Sequence, residues 1–348
     1  MKPTFSIIAD GADITLLIND RLLMLRTLDK PGMESDEFEL RIDDREGAVS
    51  LPKRGASIEV SLGYVGQALT RVGRYTVDVV ELSGPPATIV VRGKAGDNRG
   101  TGKTTRSGSW EGVPLSQIVA DVAARNGWKP ECSVPTVVDR ADQLRESDYH
   151  FVTRLSRQYD CTAKLADGKL VVLPRQSGLS ASGKTLGAVT IRRQDVQRFQ
   201  FRFDDRDIQA AARATYQDQK TGKLVVVDVS NEDANGLPPV HTDRHVKRSK
   251  EAALQAAKAR LTAFNRSTAG VRLEMVGRTD LFAERTVIAS GFKEGVDGEF
   301  LIDSVEQTYT QAGWSTTVEC NGGKRGKAKA AGKKKKKETK LKVVDPSQ

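Results

Sequence analysis

GRYTVDVVE (Gly73 to Glu81) and GEFLIDSVE (Gly298 to Glu306) read as one strand written twice. Gly73 aligns with Gly298, Tyr75 with Phe300, Val77 with Ile302, Asp78 with Asp303, Val80 with Val305 and Glu81 with Glu306. Upstream, SIEVSLGY ending at Tyr64 aligns with TVIASGF ending at Phe292 through Gly63 and Gly291. More weakly, LRIDDRE around Asp43 and Asp44 echoes FRFDDRD around Asp204 and Asp205. Two amphipathic strands share aromatic and aliphatic positions by alternation alone, but glycine, aspartate and glutamate at fixed offsets need a common plan. The order of the three segments points to two copies of one β-domain in a single chain. Three such chains would present six like domains in a ring, matching a six-fold partner on one face and a three-fold partner on the other.

Around this repeat the pattern is that of strands and turns. Ile14, Leu16 and Ile18 alternate with polar neighbours, as do Phe38, Leu40 and Ile42, then Ile58, Val60 and Leu62, then Tyr75, Val77 and Val79, then Ile89 and Val91. Residues 1–95 fit a small antiparallel barrel or sandwich. Residues 96–112 read as a polar, glycine-rich loop. LSQIVADVAARNGW then sets Leu115, Ile118, Val119, Val122 and Ala123 at helical spacing, with Gly127 as the stop. A second helix has Ser147 at its N-cap and Phe151, Leu155 and Tyr159 four apart, and Asp167-Gly168 marks a hairpin after it. TIRRQ, QFRFDD, AARATYQD and KLVVVDV return to strands, interrupted by a helix over about 247–264 with Leu254, Ala257, Leu261 and Phe264 on one face. Strands resume to Cys320. The expected division is a first domain at 1–95, a loop and α+β module at 96–178, a second domain at 179–322 and a tail at 323–348.

Composition narrows the function classes. Of 348 residues, 38% are hydrophobic and 29% charged, and no run approaches the ~18 apolar residues of a membrane span. The N-terminal MKPTFSIIADGAD is too weak for a secretory signal. Cys132, Cys161 and Cys320 are odd in number and far apart, so neither a disulfide framework nor a zinc cluster is implied, and a reducing cytoplasm is the expected site of synthesis. The net charge is +10, of which Lys324 to Gln348 carry +9 (eleven Lys/Arg against two Asp/Glu), leaving +1 for the body. A nearly neutral body with a basic, low-complexity tail is expected, the tail disordered when free.

RLLMLRTLDKPGMESDEFELRIDDRE (Arg21 to Glu46), the G-x-x-I-E-V-S-L-G-Y run (Gly55 to Tyr64), SWEGVPLSQIVADVAARNGW (Ser109 to Trp128) and ESDYHFVTRLSRQYDCTAKLADGKLVV (Glu146 to Val172) together carry a family resemblance. The chain resembles the phage late control gene D family, the baseplate hub proteins of contractile phage tails and of headless particles such as R-type pyocins. The hub part of type VI secretion spike proteins is similar. The resemblance spans residues 5 to about 320. It implies a β-rich α+β fold: two tail-tube-like antiparallel β-barrels with an inserted α+β module. It also implies a structural, non-enzymatic homotrimer whose ring joins a hexameric tail tube or tube initiator to a trimeric spike, among other baseplate proteins. The Lys-rich tail departs from the simplest family pattern.

Chemical motifs are few. AGDNRGTGKTT (Ala95 to Thr105) suggests a phosphate loop, but Asp97 stands where the first glycine is required, and Ser107-Gly108-Ser109 stop a helix at Thr104. His241 and His245 have i, i+4 spacing without the Glu of zinc peptidases, and His150 is the only other histidine. Glu146 and Asp148 at Ser147's helix start fit the helix dipole better than a glycosidase pair. Asp43-Asp44 and Asp204-Asp205 fit turns or domain interfaces. No catalytic, cofactor or metal residues are assigned. Lys333, Lys334, Lys335, Lys336 and Lys337 are the candidate partner-binding residues: the tail could neutralise phosphates, but it has no aromatic on which a base could stack. Three tails in a trimer would gather enough positive charge to hold an acidic patch on the spike, the tube or a chaperone. The rival readings are a nucleic-acid binder acting through this tail, which without aromatics would not read sequence, and a P-loop or metal hydrolase.

Overall fold

The computed structural model describes residues 1–32, 36–95, 101–166, 168–178, 186–204, 208–231, 239–326 and 343–344. The first stretch holds β1 (Pro3–Ala9), β2 (Ala12–Asp13), α1 (Thr15–Ile18), β3 (Leu22–Asp29), β4 (Glu37–Asp43), β5 (Ser57–Tyr64), β6 (Thr70–Ser83) and β7 (Thr88–Lys94). Next come β8 (Thr105–Pro114), α2 (Leu115–Arg125), β9 (Lys129–Cys132), β10 (Val137–Ser147), α3 (Asp148–Gln158), β11 (Cys161–Ala166) and β12 (Lys169–Pro174). The rest comprises β13 (Val189–Arg192), β14 (Val196–Phe203), β15 (Ala211–Gln217), β16 (Leu224–Ser230), β17 (Val240–Thr242) and α4 (Lys250–Ser267). It ends with β18 (Ala269–Val276), β19 (Thr286–Ser290), β20 (Gly298–Thr310), β21 (Gly313–Asn321) and β22 (Val343–Val344).

One spatial order occurs twice. The first copy runs β3-β4-β7-β6-β5-β1 and the second runs β14-β18-β21-β20-β19-β13, each taken up in the same chain order. Irregularities recur as well. The extra residue of a bulge is Asp78 in β6, between Val77 and Val79, and Asp303 in β20, between Ile302 and Ser304. A second bulge inserts Leu23 in β3 and Gln197 in β14. Val77 donates to the Ala56 carbonyl at 2.9 Å and accepts from Gly55 N at 2.7 Å; Ile302 repeats this with Arg285 at 3.0 Å and Glu284 at 2.9 Å. Gly55 and Glu284 both have left-handed φ, +94° and +67°. A left-handed glutamate is costly, so the two copies share this backbone conformation with different residues. The last strand pair differs: β1 runs antiparallel to β5, whereas β13 runs parallel to β19.

Each copy has its own core. Phe38, Leu40, Ile58, Val60, Tyr75 and Ile89 fill the first, and Leu273, Val287, Phe300, Ile302 and Val318 the second. Tyr75, Val77, Phe300 and Ile302 are all buried, as alternation demands. Between the copies, α2 and α3 pack on β8–β12. Leu115, Ile118, Val119, Val122 and Ala123 are buried, Gly127 (φ +72°) ends α2, and Ser147 Oγ caps α3 by accepting from His150 N at 3.2 Å. β11 and β12 form the expected hairpin around Gly168 (φ +73°), although Asp167 lies outside the described residues. β15, β16 and β17 stay out of the large sheet. With α4 they enclose a small core of Ala212, Ala214, Val227, Ala253, Ala257 and Leu261, set between β14 and β18.

The structure corrects several expectations. Ile14–Ile18 is not a strand: Asp13 Oδ1 accepts from Thr15 N at 2.8 Å, a helical turn follows, and Leu16 faces solvent. Residues 105–112, expected as part of the loop at 96–112, belong to β8, which pairs with β10. The Asp78 bulge breaks the alternation, so Val79 is exposed. Gly63 and Gly291 are not equivalent: Val60 and Ala289 face Gly73 and Gly298, so one further residue separates Gly63 from the matching place. FRFDDRD begins with the last three residues of β14, the counterpart of β3, whereas LRIDDRE begins in β4, so that echo joins unlike strands. The helix expected at 247–264 runs from Lys250 to Ser267, capped by Ser249. In the basic tail, Val343 and Val344 pair with Val227 and Val226.

Candidate assembly interface

The two copies meet edge to edge. The second half of β20 lies antiparallel to β3, with six facing pairs from Val305–Asp29 to Thr310–Met24. This joins both copies into one sheet, so these halves of β20 and β3 are not open edges. Across the seam Arg26 Nε donates to Glu306 Oε2 at 2.8 Å. The turn between β20 and β21 then closes on the first copy. Trp314 is buried in the first copy's core and tilted on Tyr64 at 5.1 Å, and Tyr309 meets Phe5 edge-on at 5.0 Å. Tyr64 donates to the Gly277 carbonyl at 2.7 Å, and Tyr309 to that of Pro3 at 3.2 Å. Gly277 is needed here because a Cβ would sit 1.9 Å from the Trp314 ring.

The α+β module is moored to the same junction. Lys164 on β11 donates to Asp29 at 2.7 Å and pairs with Asp36 at 2.9 Å, while Asp29 also accepts from Ala283 N at 2.7 Å. Burial and the neighbouring Asp29 charge push the Asp36 carboxyl up to about 6, against the pull of Lys164. Burial by itself would lower the Lys164 ammonium, but Asp29 and Asp36 raise it above the ordinary lysine range. Glu284, the left-handed residue of the second copy, accepts from Thr162 Oγ1 at 2.9 Å and Gln176 N at 3.2 Å.

The seam uses the second half of β20 and Met24–Asp29 of β3, and among the described residues the equivalent stretches of β6 and β14 have no strand on that edge. In β6, Val79, Glu81, Leu82 and Ser83 are exposed, whereas in β20 Gln307, the counterpart of Leu82, is buried and the counterparts of the other three are half-buried. In β14, Phe199, Gln200, Arg202 and Phe203 are exposed, and among the described residues β14 pairs only with β18.

Residues 34–313 match the model of the family described as phage tail baseplate hub (GPD). The probable baseplate hub protein of Escherichia phage 186 is 31% identical over 362 aligned positions, covering 92% of each chain. The chain belongs to the phage tail baseplate hub family. It is a baseplate hub of a phage tail, a component of the virion's tail baseplate. In fold it is similar to the 43 kDa tail protein of prophage MuSo2 from Shewanella oneidensis, with a TM-score of 0.69, 17% identity, and 92% and 98% of the two chains covered. It is also similar to an E. coli type VI secretion component, itself described as resembling T4 tail proteins gp27 and gp5. There the TM-score is 0.56 with 11% identity over 86% and 73% of the chains.

For a hub, the other sequence candidates fall into place as structure. Gly102 is buried where a Cβ would strike Trp128 and Tyr149, and a strand starts at Thr105; residues 96–100 lie outside the described part. His241 packs edge-on to Phe264 at 5.0 Å, with its pKa lowered by burial and by Arg260. It shares an open cleft of about 850 Å³ with His245, beside α4. Among the described residues no group of three metal-ligating side chains occurs. Glu146 accepts from Arg154 and His150. Asp148 is fully buried and accepts from Asn126 at 2.7 Å, Gln143 at 2.9 Å and Arg125, so it ties α2, β10 and α3 together rather than serving the helix dipole alone. Asp44 accepts from Val49 N at 2.9 Å and Asp43 from Arg45 N at 3.1 Å, the turn role expected of them. Asp204 pairs with Arg202, and Asp205 and Lys333–Lys337 lie outside the described residues. Among the described residues no helix is long and apolar enough to cross a membrane. Trp314, Tyr309 and Gly277 were not singled out from sequence; nothing in their local pattern says that they serve a distant copy.

Proposed function

We propose that three copies of this chain form a ring of six like units at the centre of a contractile tail baseplate. One face of the ring continues into the hexameric tail tube or its initiator, and the other seats the trimeric spike. In this reading the units are tail-tube-like barrels over 1–95 and 179–322, with the module at 96–178 outside the ring. The tail at 323–348, rooted where Gly323 N donates to Asn321 and Lys324 N to Gln176, is a basic arm whose Lys333–Lys337 hold an acidic partner. The chain works by pairing and packing rather than catalysis, and is made in the host cytoplasm before assembly.

The observation that carries this reading is the in-chain seam between two copies of one strand order. Two units already joined edge to edge make a third of a six-unit ring, and closed rings satisfy edges that would otherwise aggregate. End-on electron micrographs of the chain bound to the spike protein of its own gene cluster test it. Six lobes around a central channel are expected; a compact particle of one or two lobes would overturn the ring.

A further inference from the structure

The in-chain seam is a template for a second seam, because each of its two strands has an equivalent with the same half bare. Matching the bulges and ladders of the two copies sets β6 on β20 and β14 on β3. Within the seam, Asp29 faces Val305, Leu28 faces Glu306, Thr27 faces Gln307 and Arg26 faces Thr308. The equivalent residues are Phe203 with Val80, Arg202 with Glu81, Phe201 with Leu82, and Gln200 with Ser83.

We infer that Val80–Ser83 of β6 in one chain pairs antiparallel with Gln200–Phe203 of β14 in a second copy, in this register. The inference rests on the trimer reading above and specifies how its chains meet. The chemistry of the two edges suits it. Successive side chains of a strand alternate in face, and facing residues share one. Leu82 and Val80 then meet Phe201 and Phe203 on the core side, where Leu82 is 60% and Phe203 41% exposed in the single chain. On the opposite side Glu81 meets Arg202, whose side chain is 72% exposed. Apolar faces apolar, and acid faces base. An exposed strand half with apolar side chains is an aggregation hazard unless something covers it, and here the cover is the same on both sides. Three in-chain and three between-chain seams would alternate around the ring.

The second seam is the shorter one. β6 stops at Ser83 before Gly84-Pro85-Pro86, and the place of Trp314 is taken by Ala87, so the aromatic closure of the in-chain seam has no counterpart. Chains should therefore associate more weakly than the two halves of each chain.

Cysteine cross-linking reads the register directly. Glu81→Cys with Arg202→Cys, in a Cys132→Ser background, puts two exposed thiols on facing positions of the full-length chain; facing Cα atoms in such ladders are about 4.5–5.5 Å apart, within disulfide reach. Oxidation with the spike protein present should give covalent dimers and trimers. Glu81→Cys with Arg198→Cys lies four residues out of register, about 13 Å along the strand, and should stay uncross-linked. A trimer by mass without the Glu81–Arg202 cross-link, or with equal cross-linking of both pairs, would overturn this seam and leave the trimer standing. A chain that is monomeric and uncross-linked would overturn both.

Discussion

Replacing Trp314 by alanine should open the closure that holds the two copies together. The indole is buried, packs on Tyr64 and donates to Gln307 Oε1 at 2.9 Å. Buried Trp→Ala changes cost about 3–5 kcal/mol, a range that includes the roughly 0.5–1.5 kcal/mol of an aromatic pair. Gln307 Oε1 keeps a donor, Thr316 Oγ1 at 2.6 Å, so no penalty for an orphaned acceptor is added. About 4 kcal/mol is therefore expected. Gly277→Ala attacks the same contact from the other side, driving a Cβ to 1.9 Å from the ring, and should cost about 1–3 kcal/mol as overpacking. In the double variant the new methyl enters space that the indole has left. The two losses should then fall short of additive by about 1–2 kcal/mol. Urea unfolding followed by circular dichroism measures all three. A Trp314→Ala loss below about 1 kcal/mol, or simple additivity, would refute the claim that this indole closes the seam.

Lys164→Ala should cost about 2–3 kcal/mol at pH 8, less than for a fully buried pair because 28% of the Lys164 side chain is exposed. Lys164's own raised pKa contributes stability through neutral pH, lost only as pH climbs past the ordinary lysine value and through its raised one. Asp36, already raised to about 6, favours folding below its unfolded value, and that contribution is lost as pH rises through about 6. Without the cation Asp36 rises further, so the variant's deficit should shrink at pH 5; melting curves with the same deficit at both pH values would contradict this. Thiol titration of the native chain should find Cys132 reacting first. Burial pushes Cys161 up to about 12 and raises Cys320 too, and equal rates at all three would show that the cores open readily.

The duplication was legible because its two best-matched strands keep polar residues for backbone reasons. Asp78 and Asp303 are the extra residues of bulges, and such positions are copied more faithfully than interchangeable core aliphatics. β3 escaped notice because the Leu23 bulge scrambles its alternation, leaving LLMLRTL without a period. The Ile14–Ile18 run has period two yet turns into a helix, since Asp13 and Thr15 supply side-chain bonds that compete with a ladder. α2 and α3 were readable from spacing and Ser147 alone. The seam was not, because it pairs Arg26 with a glutamate 280 residues away. Leu82 and Phe203 carry no local signal either, because their meaning lies in the equivalence of β6 with β20 and of β14 with β3.

The most direct test of the ring is the solution mass of the purified chain by light scattering, alone and with its spike protein. A chain mass near three times 37.9 kDa, reached alone or once the spike is added, is the expected result. A single chain under both conditions would contradict the account.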